Sequence, residues 1–405
     1  MKYVIFLGDG MADTPVPELD GKTPLQVAAH PNMDRMAQNG LFGLVRTVPV
    51  GMKPGSDTAN LSVFGYDPKF YYSGRSPLEA ASIGVDLDPD DVTYRCNFVT
   101  LSDPEHPDDA YMADYCAGEI SSEEAAQLVE VFNERFGSDT VHLYPGVYYR
   151  QCLVLKHAET GAELTQPHDI PNQPVRDKFP KGTNAGLLNE MIRYAAEMFP
   201  KHPVNIRRVE QGKHPANAVW FWGEGRRPAL RPFEELFGLK GAVISAVDLI
   251  QGIGKCAGMQ VLKVPGATGN YKTDFSAKGR AAVDVLKNGA DYVYIHVEAP
   301  DECGHQHQVK EKVYSIEQID EKIVGPVLDY LEACGEEFCA AVLPDHPTPL
   351  EVRTHTADPV PFALYRGGRC GKNGPVRFTE EEAERTGVFV EKGCEIIRHM
   401  LDADL

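Results

Sequence analysis

Three apolar runs along the chain predict β-strands, and an aspartate follows each of them closely. The runs occupy residues 3–7, 292–297 and 340–343. Their residues are mostly aliphatic or aromatic, and the turn formers Gly8 and Gly10 close the first run. The aspartates are Asp9, Asp301 and Asp345. The pattern therefore places three carboxylates at the ends of three strands.

Helical patterns accompany these strands. Apolar residues recur at steps of three and four in residues 276–289 and again in residues 311–334. Because strands that alternate with helices favour a parallel sheet covered on both faces, the sequence predicts an α/β fold with a central, mostly parallel sheet. Ligands of such sheets bind outside the carboxyl ends of the strands. We therefore expect the three aspartates to converge at one edge of the sheet.

The middle of the chain has a different texture. Prolines interrupt it repeatedly, as in "SDPEHPDDAY", "QPHDIPNQPVRDKFPKGT" and "WGEGRRPALRP". A chain of 405 residues with 42% hydrophobic residues is long enough for two folding units. We therefore predict a smaller α/β or α+β domain over residues 103–235, inserted into a domain formed by residues 1–102 and 236–405.

Charge and composition exclude several functions. A formal net charge of -19 argues against binding to nucleic acid, which needs a basic face. The nine cysteines lack C-x-x-C spacing, so neither a disulfide framework nor a zinc ribbon is indicated. The first apolar run is too short for a signal peptide, and no later run has the length of a membrane span. We expect a cytoplasmic protein without a membrane or nucleic-acid partner, either a monomer or a small homo-oligomer.

Histidines accompany the second and third aspartates. His305 lies four residues after Asp301, a spacing that places both side chains on one face of a helical turn. His346 directly follows Asp345, so this pair needs a loop to share a ligand, and His355 comes soon after. Taken singly, each has a structural explanation as a solvated turn or a surface histidine. Together they supply enough ligands for two divalent ions, a common device in phosphoryl transfer, and carboxylate with imidazole suits manganese or zinc.

A serine supplies the candidate nucleophile. The stretch "KPGSDTANLSVFGYDP" places Gly55 in a turn and Ser56 at the start of a predicted helix over residues 57–64. The N–H groups at the start of a helix attract anions, and coordination to a metal would lower the pKa of the hydroxyl. Ordinary N-capping by Ser56 explains the same pattern. The local sequence therefore leaves both roles open.

Several long motifs resemble one known family. They are "GDGMAD", "PGSDTANLSVFGYDP", "GRSPLEAASIGVDL", "RCNF", "VPGATGNYKTDF", "HVEAPDECGH", "LPDHPTP" and "RTHTADPVPF". Together they closely resemble the archaeal-type branch of the cofactor-independent phosphoglycerate mutases, in the alkaline phosphatase superfamily. The resemblance implies an alkaline-phosphatase-like domain built from both chain ends, with an inserted phosphotransferase domain. It also implies interconversion of 3-phosphoglycerate and 2-phosphoglycerate, small phosphorylated three-carbon acids, through a phosphoserine at Ser56 and without bisphosphoglycerate.

The resemblance further implies a set of metal ligands. One divalent ion would be held by Asp301, His305 and His355, and the other by Asp9, Ser56, Asp345 and His346. Manganese is the expected metal, with magnesium, zinc and cobalt as alternatives. The chain departs from the family after His305, where His307 and Gln308 replace an expected glycine-aspartate pair. We expect His307 to be a surface residue, with an effect on the surroundings of the site as the alternative.

The carboxylate and phosphate of such a substrate call for arginine, whose planar fork matches both groups. The candidates in the predicted insert are Arg150, Arg226 and His168, with Asp169 as the base that activates the glycerate hydroxyl. Lys278 is a further candidate for substrate binding, outside the insert. A surface ion pair explains each arginine equally well.

Other functions stay open on the sequence alone. The first is a mutase-like phosphotransferase that acts on another alcohol, such as homoserine, although the chain has no G-x-x-x-x-G-K-[ST] loop for a nucleotide. The second is a metal-dependent phosphomonoesterase or phosphonoacetate-type hydrolase, which has no need of a large insert. A noncatalytic binding protein would leave the ligand set and Ser56 unexplained.

Overall fold

Strands and helices alternate along most of the chain in the computed structural model, which describes residues 1–367 and 373–402. The strands are β1 (Lys2–Gly8), β2 (Leu41–Val45), β3 (Val92–Leu101), β4 (Met112–Asp114), β5 (Val141–Tyr144), β6 (Arg150–Leu155), β7 (Ala162–Glu163), β8 (Lys181–Gly182), β9 (Ala218–Arg226), β10 (Gly241–Ile244), β11 (Gln260–Leu262), β12 (Tyr292–Val297), β13 (Phe338–Leu343), β14 (Val360–Arg366) and β15 (Phe389–Val390). The helices are α1 (Pro24–Val27), α2 (Pro31–Asn39), α3 (Ser56–Val63), α4 (Pro68–Tyr71), α5 (Ser76–Ser82), α6 (Ser122–Phe136), α7 (Ala185–Met198), α8 (Pro203–Glu210), α9 (Phe233–Phe237), α10 (Asp248–Cys256), α11 (Phe275–Lys287), α12 (Ala299–His305), α13 (Val309–Ile319), α14 (Gly325–Ala333), α15 (Glu380–Arg385) and α16 (Ile396–Leu401). A π-helical turn, Asp320–Val324, joins α13 to α14. Within the described part of the chain, no helix is both long enough and apolar enough to cross a membrane.

The chain forms two compact units. The first comprises Met1–Tyr72 and Leu230–Leu405, and the second comprises Ser73–Ala229. The predicted boundaries at residues 103 and 235 therefore differ from those of the structure, most of all at the start of the insert. The physical reason is β3, which pairs with β6 and β9 and so belongs to the sheet of the second unit.

The first unit is built around an eight-stranded mixed sheet, in the order β11-β10-β12-β1-β13-β14-β2-β15. Strands β11, β10, β12, β1 and β13 are parallel, whereas β14 runs antiparallel to both β13 and β2. The three predicted strands correspond to β1, β12 and β13, which are direct neighbours. Every residue of these three strands is buried, as expected for strands covered on both faces. The predicted α/β fold with a central, mostly parallel sheet is confirmed.

The second unit has a different sheet. Strand β3 pairs antiparallel with β4, β6 and β9, and β5 pairs antiparallel with β6. Helices α6 and α7 bury apolar faces, including Leu128, Phe132, Leu188 and Ile192, in the same core as Trp220 of β9. This unit is an α+β domain with its own hydrophobic core, which is one of the two alternatives predicted for the insert.

Candidate active site

The three strand-end aspartates lie together at the carboxyl edge of the first unit's sheet. Asp9 directly follows β1, Asp345 lies two residues beyond β13, and Asp301 lies in α12 after β12. The backbone N–H of Gly10 donates a hydrogen bond to Asp345 Oδ1 over 3.2 Å. Gly10 has a φ of +64°, and a Cβ at this position would lie 2.7 Å from the Cα of Asp301. A glycine is therefore required where the chain turns between the aspartates.

One set of metal-ligating side chains surrounds Asp9. We call Asp9, Asp345 and His346 the Asp9 group, because they offer ligand atoms that all lie within 4.8 Å of one another. His346 Nε2 lies 3.3 Å from Asp345 Oδ2 and 3.7 Å from Asp9 Oδ1. All three residues are buried.

A second set surrounds Asp301. We call Asp301, His346 and His355 the Asp301 group, because their ligand atoms also lie within 4.8 Å of one another. His355 Nε2 lies 3.4 Å from Asp301 Oδ1. His305 joins this group, since its Nε2 lies 3.3 Å from Asp301 Oδ2 and 3.0 Å from His355 Nε2. His346 belongs to both groups, so the two groups are contiguous.

The residues present fit divalent cations. Asp9 Oδ1 is buried and has no hydrogen-bond partner among the described residues, although a buried carboxylate oxygen is costly to leave unpaired. Burial, followed by the charges of Asp345 and Asp301, raises the pKa of Asp9 well above its ordinary value. A cation would compensate this concentration of buried negative charge. The donors are carboxylate oxygens and imidazole nitrogens, the set that manganese and zinc accept.

Ser56 is directed at the Asp9 group. Its Oγ lies 3.1 Å from His346 Nε2 and 3.5 Å from Asp9 Oδ2. Ser56 is the first residue of α3, whereas the N-cap position is taken by Gly55, which makes no side-chain cap. The hydroxyl therefore does not serve as the helix cap, and the positive end of the helix faces the same place.

Neutral side chains hold the charged ones in place. The amide of Asn60, one turn along α3 from Ser56, donates to Asp345 Oδ2 over 2.7 Å and accepts from the Tyr294 hydroxyl over 2.6 Å. The hydroxyl of Thr348 donates to Asp301 Oδ1 and lies 3.3 Å from the Nδ1 of His346. Thr348 thus connects Asp301 to His346.

A buried ion pair anchors the loop that follows His346. Lys312 Nζ of α13 lies 2.7 Å from Asp13 Oδ2, and both side chains are inaccessible to solvent. Lys312 also donates to the backbone oxygen of Thr348, and the N–H of Leu350 donates to the Asp13 carboxylate. The pair therefore fixes the loop that positions His346 and His355.

Substitution of Lys312 by methionine is expected to destabilise the protein by about 3–5 kcal/mol, because it leaves the Asp13 carboxylate buried without its partner. The measurement is the free energy of unfolding from a urea titration. Lys310→Met is the matched control, since Lys310 lies on the same helix and is exposed; it is expected to change stability by less than about 0.5 kcal/mol. Equal stability of the two variants would refute the anchoring role.

The pKa of His305 is raised above its ordinary value. Burial lowers the pKa of the imidazole, but the hydrogen bond and charge of Asp301 outweigh it and raise the pKa to about 9. Asp301 responds in the opposite sense: burial raises its pKa, but its hydrogen bonds with His305 and His355 hold the pKa well below its ordinary value. At pH 7 without metal, the pair is therefore an imidazolium beside a carboxylate.

Manganese affinity at the Asp301 group should consequently rise with pH. A ligating histidine must be neutral, and the pKa of His305 is about 9, so at any pH below this value one proton has to leave His305 when the metal binds. The affinity should therefore increase about tenfold per pH unit between pH 6 and 9. Titration calorimetry in buffers of different ionisation enthalpy measures both the affinity and the proton released. A pH-independent affinity over this range would contradict the expectation, and His305→Gln should remove the slope.

Lys278 is placed differently from the prediction. The side chain is completely buried in α11, and Nζ donates to the backbone oxygen of His296 over 3.1 Å. Burial lowers the pKa of Lys278 to about 8, against the opposing charge of Glu298. This placement gives the predicted substrate contact no support.

Four side chains that lie close together in the second unit form what we call the arginine group: Arg75, Arg95, Arg150 and His168. Arg75 and Arg95 each place Nε 2.9 Å from a different oxygen of Glu79. Burial raises the pKa of Glu79, but Arg95, Arg75 and Arg150 together hold it below its ordinary value. Three cations thus surround one carboxylate, which leaves an excess of positive charge.

An aromatic wall adjoins this arginine group. The guanidinium of Arg95 stacks 4.2 Å above the ring of Trp222, and the imidazole of His168 packs edge-on against the same ring. Desolvation lowers the pKa of His168, and the charges of Arg95 and Arg75 add to this effect against that of Asp169. Asp169 itself is exposed.

Arg226 is not part of this arrangement. It pairs with Val92 of β3, whereas Arg150 pairs with Asn97, so about 16 Å of strand separate the two positions. The Nη2 of Arg226 donates to the backbone oxygen of Ala158. The structure therefore brings Arg150 and His168 towards each other but leaves Arg226 at the far end of the sheet.

Known proteins resemble this chain along nearly its whole length. A family model described as 2,3-bisphosphoglycerate-independent phosphoglycerate mutase matches residues 37–205. A protein of that name from Methanothrix thermoacetophila is 48% identical over 99% of this chain and 100% of its own length. The chain belongs to this mutase family. The resemblance in the sequence motifs is thereby confirmed.

Solved structures support the membership of the mutase family. A cofactor-independent phosphoglycerate mutase from Thermoplasma acidophilum is similar with a TM-score of 0.66 and 26% identity, covering 99% of this chain and 98% of its own. A protein from Pyrococcus horikoshii is similar with a TM-score of 0.82 and 33% identity, covering 99% and 96%. The chain therefore shares its fold with a solved cofactor-independent phosphoglycerate mutase.

The structure also shows the contacts of His307, the residue at which the chain departs from the mutase family pattern. His307 adopts a φ of +53°, and its Nδ1 lies 2.8 Å from the backbone oxygen of Leu350. Its Nε2 lies 3.2 Å from Glu18 Oε1. His307 is half-buried rather than a plain surface residue, and it ties the end of α12 to the loop that carries His346 and His355.

Sequence reasoning missed several residues that contact the ligand groups of the first unit or the glutamate and aromatic side chains of the second unit. Asn60 and Thr348 lie inside recognised motifs, and His296 lies in the run of β12, but none was assigned a role. Arg75 and Arg95 also lie inside motifs that were recognised as wholes. For His296 a signal existed, because a histidine in the middle of a buried apolar strand requires hydrogen-bond partners.

Proposed function

We propose that this protein is a cofactor-independent phosphoglycerate mutase that interconverts 3-phosphoglycerate and 2-phosphoglycerate, with Ser56 as the nucleophile. The single observation that carries the proposal is the position of Ser56 Oγ, 3.1 Å from His346 Nε2 at the start of α3 and beside both ligand groups. Membership of the mutase family supports the substrate assignment.

In this proposal the ligand groups hold two divalent ions. Asp301, His305 and His355 hold one, and Asp9, Ser56, Asp345 and His346 hold the other. The ions, manganese in this proposal, would lower the pKa of the Ser56 hydroxyl and offset the charge of the phosphoryl group.

The chain's own residues then carry the phosphoryl group. Deprotonated Ser56 Oγ attacks phosphorus, the bond from phosphorus to the substrate oxygen breaks, and that oxygen takes up a proton. The other hydroxyl of glycerate loses a proton, with Asp169 as the proposed base, and attacks the phosphoserine to restore Ser56. Phosphate is neither gained nor lost, so no bisphosphoglycerate is required.

The arginine group of the second unit supplies substrate recognition in this proposal. Arg150, Arg75 and His168 present cations and hydrogen-bond donors that match a carboxylate and a phosphate. Arg226, in β9 opposite the first residue of β3, is left out of the proposed contacts.

Arg150→Met is expected to raise the KM for 3-phosphoglycerate by about 10- to 150-fold, because a hydrogen bond to a charged group contributes about 1.5–3 kcal/mol. Steady-state kinetics with manganese-loaded protein measures this effect. The control is Arg135→Met, since Arg135 lies on the surface of the same unit and pairs with Glu190. An unchanged KM in Arg150→Met would remove Arg150 from the proposal.

The experiment that tests the function is a comparison of three reactions. Purified, manganese-loaded protein is supplied with 3-phosphoglycerate alone, with ATP and homoserine, or with a phosphomonoester such as p-nitrophenyl phosphate. We expect 2-phosphoglycerate in the first reaction, without added bisphosphoglycerate, and at most slow turnover in the others. Preferred phosphorylation of homoserine, or preferred release of inorganic phosphate, would overturn the assignment. A cytoplasmic location and the oligomeric state stay predictions.

A further inference from the structure

A fully buried histidine, His296, contacts Asp9 of the Asp9 group from the neighbouring strand β12. His296 belongs to β12, which lies between β10 and β1, and it is inaccessible to solvent. Its Nε2 lies 2.9 Å from Asp9 Oδ2, and its Nδ1 lies 3.1 Å from the Oγ of Ser245, just beyond β10. Both ring nitrogens therefore have partners, and His296 reaches a proposed metal ligand without belonging to either ligand group.

The hydrogen-bond inventory fixes the direction of each bond. A carboxylate that ligates a metal is ionised and only accepts, so in the proposed site Nε2–H of His296 donates to Asp9. Ser245 Oγ already accepts from the backbone N–H of Val247 over 3.0 Å, so its own proton is available for Nδ1. The resulting chain runs from Val247 through Ser245 and His296 to Asp9. It holds the ring in one orientation at the end of the central strands.

The two oxygens of Asp9 are thereby distinguished. Oδ2 receives His296 and lies 3.5 Å from Ser56 Oγ, whereas Oδ1 is buried, has no hydrogen-bond partner among the described residues and faces His346. A carboxylate anchored through one oxygen presents the other as a ligand in a fixed direction.

We propose that His296, oriented by Ser245, is a positioning residue that holds Asp9 so that Oδ1 faces the ion of the Asp9 group. The inference rests on the proposed two-ion site. It concerns the ion of the Asp9 group, because the ring nitrogens of His296 bond to Asp9 and Ser245, neither of which belongs to the Asp301 group.

The test is the binding of manganese, measured by competition with a chelating dye and by elemental analysis after dialysis. His296→Leu removes the donor and is expected to weaken one of the two ions by about 10- to 100-fold, the usual effect of losing such a partner, while the other ion keeps its affinity. His296→Gln places an amide N–H close to the position of Nε2 and is expected to recover most of the loss. Ile295→Val, at the neighbouring buried position of β12, is the matched control and should bind both ions normally.

Ser245→Ala keeps the test decisive if His296→Leu does not fold, because it removes only the hydroxyl that orients the ring. It is expected to weaken the same ion by about 10-fold, the lower end of the usual effect of such partners. If His296→Leu folds and binds both ions with unchanged affinity, the inference is overturned. If His296→Leu does not fold, unchanged affinity for both ions in Ser245→Ala overturns it. Equal weakening of both ions would also overturn it.

Wild-type protein separates this inference from the proposed function. Failure of the wild type to bind two ions would refute the proposed metal site itself. Two bound ions in the wild type together with two undisturbed ions in His296→Leu would refute the role of His296 alone.

Discussion

Ser56→Ala is expected to lower mutase turnover by more than about 10⁴-fold while leaving the fold intact, because it removes the atom that would carry the phosphoryl group. Ser56 Oγ lies 3.1 Å from His346 Nε2, and no cap of α3 depends on it, since Gly55 occupies the cap position. The loss should therefore appear in kcat and not in stability. Conversion of 3-phosphoglycerate to 2-phosphoglycerate and thermal unfolding measure the two effects.

Ser62→Ala is the matched control for this substitution. Ser62 is a buried serine near the other end of the same helix, and none of the ligand groups includes it. It should retain turnover close to that of the wild type. Turnover by Ser56→Ala within about tenfold of the wild type would exclude Ser56 as the nucleophile.

His346→Gln is expected to weaken the ion of the Asp9 group by more than about 100-fold, beyond the 10- to 100-fold typical of residues that only support a ligand. The reason is that His346 is a proposed ligand of this ion, with ligand atoms within 4.8 Å of those of Asp9 and Asp345. Turnover should fall close to background, since the Ser56 hydroxyl would also lose its neighbour at 3.1 Å.

His355→Gln separates the two ligand groups. His355 belongs to the Asp301 group alone, so this variant should lose affinity for one ion and keep the other. Metal content after dialysis against a weak chelator distinguishes the variants. Retention of both ions by His346→Gln, or of both by His355→Gln, would contradict the proposed division of ligands.

Much of the site could be predicted from the sequence, because its three aspartates follow the ends of predicted strands. Long apolar runs buried on both faces predict central parallel strands, and Asp9, Asp301 and Asp345 follow three such runs. Their convergence then follows from the rule for carboxyl ends of parallel strands. The structure adds that β12, β1 and β13 are direct neighbours, an order that no local pattern reveals.

Other features depend on contacts that are distant in sequence. Every residue of β3 is buried, but the sequence does not indicate which sheet this segment joins, and the domain boundary was misplaced accordingly. The role of Ser56 was undecided between capping and chemistry until Gly55 was found at the cap. Lys278 was assigned to substrate binding by residue type. Its side chain is buried beside the backbone oxygen of His296 because α11 packs on β12, and the sequence does not show this packing. Arg226 and Arg150 are separated by a strand register that the sequence does not contain.

Identification of the phosphorylated residue during turnover tests the central claim most directly. Manganese-loaded protein is mixed with 3-phosphoglycerate, quenched in acid within the turnover time and digested, and the peptides are examined by mass spectrometry. The account predicts one phosphate on the peptide that contains Ser56, at that serine, and none when Ser56→Ala is treated in the same way. Active turnover with the phosphate on a different residue, or with no phosphorylated peptide at any quench time, would contradict it.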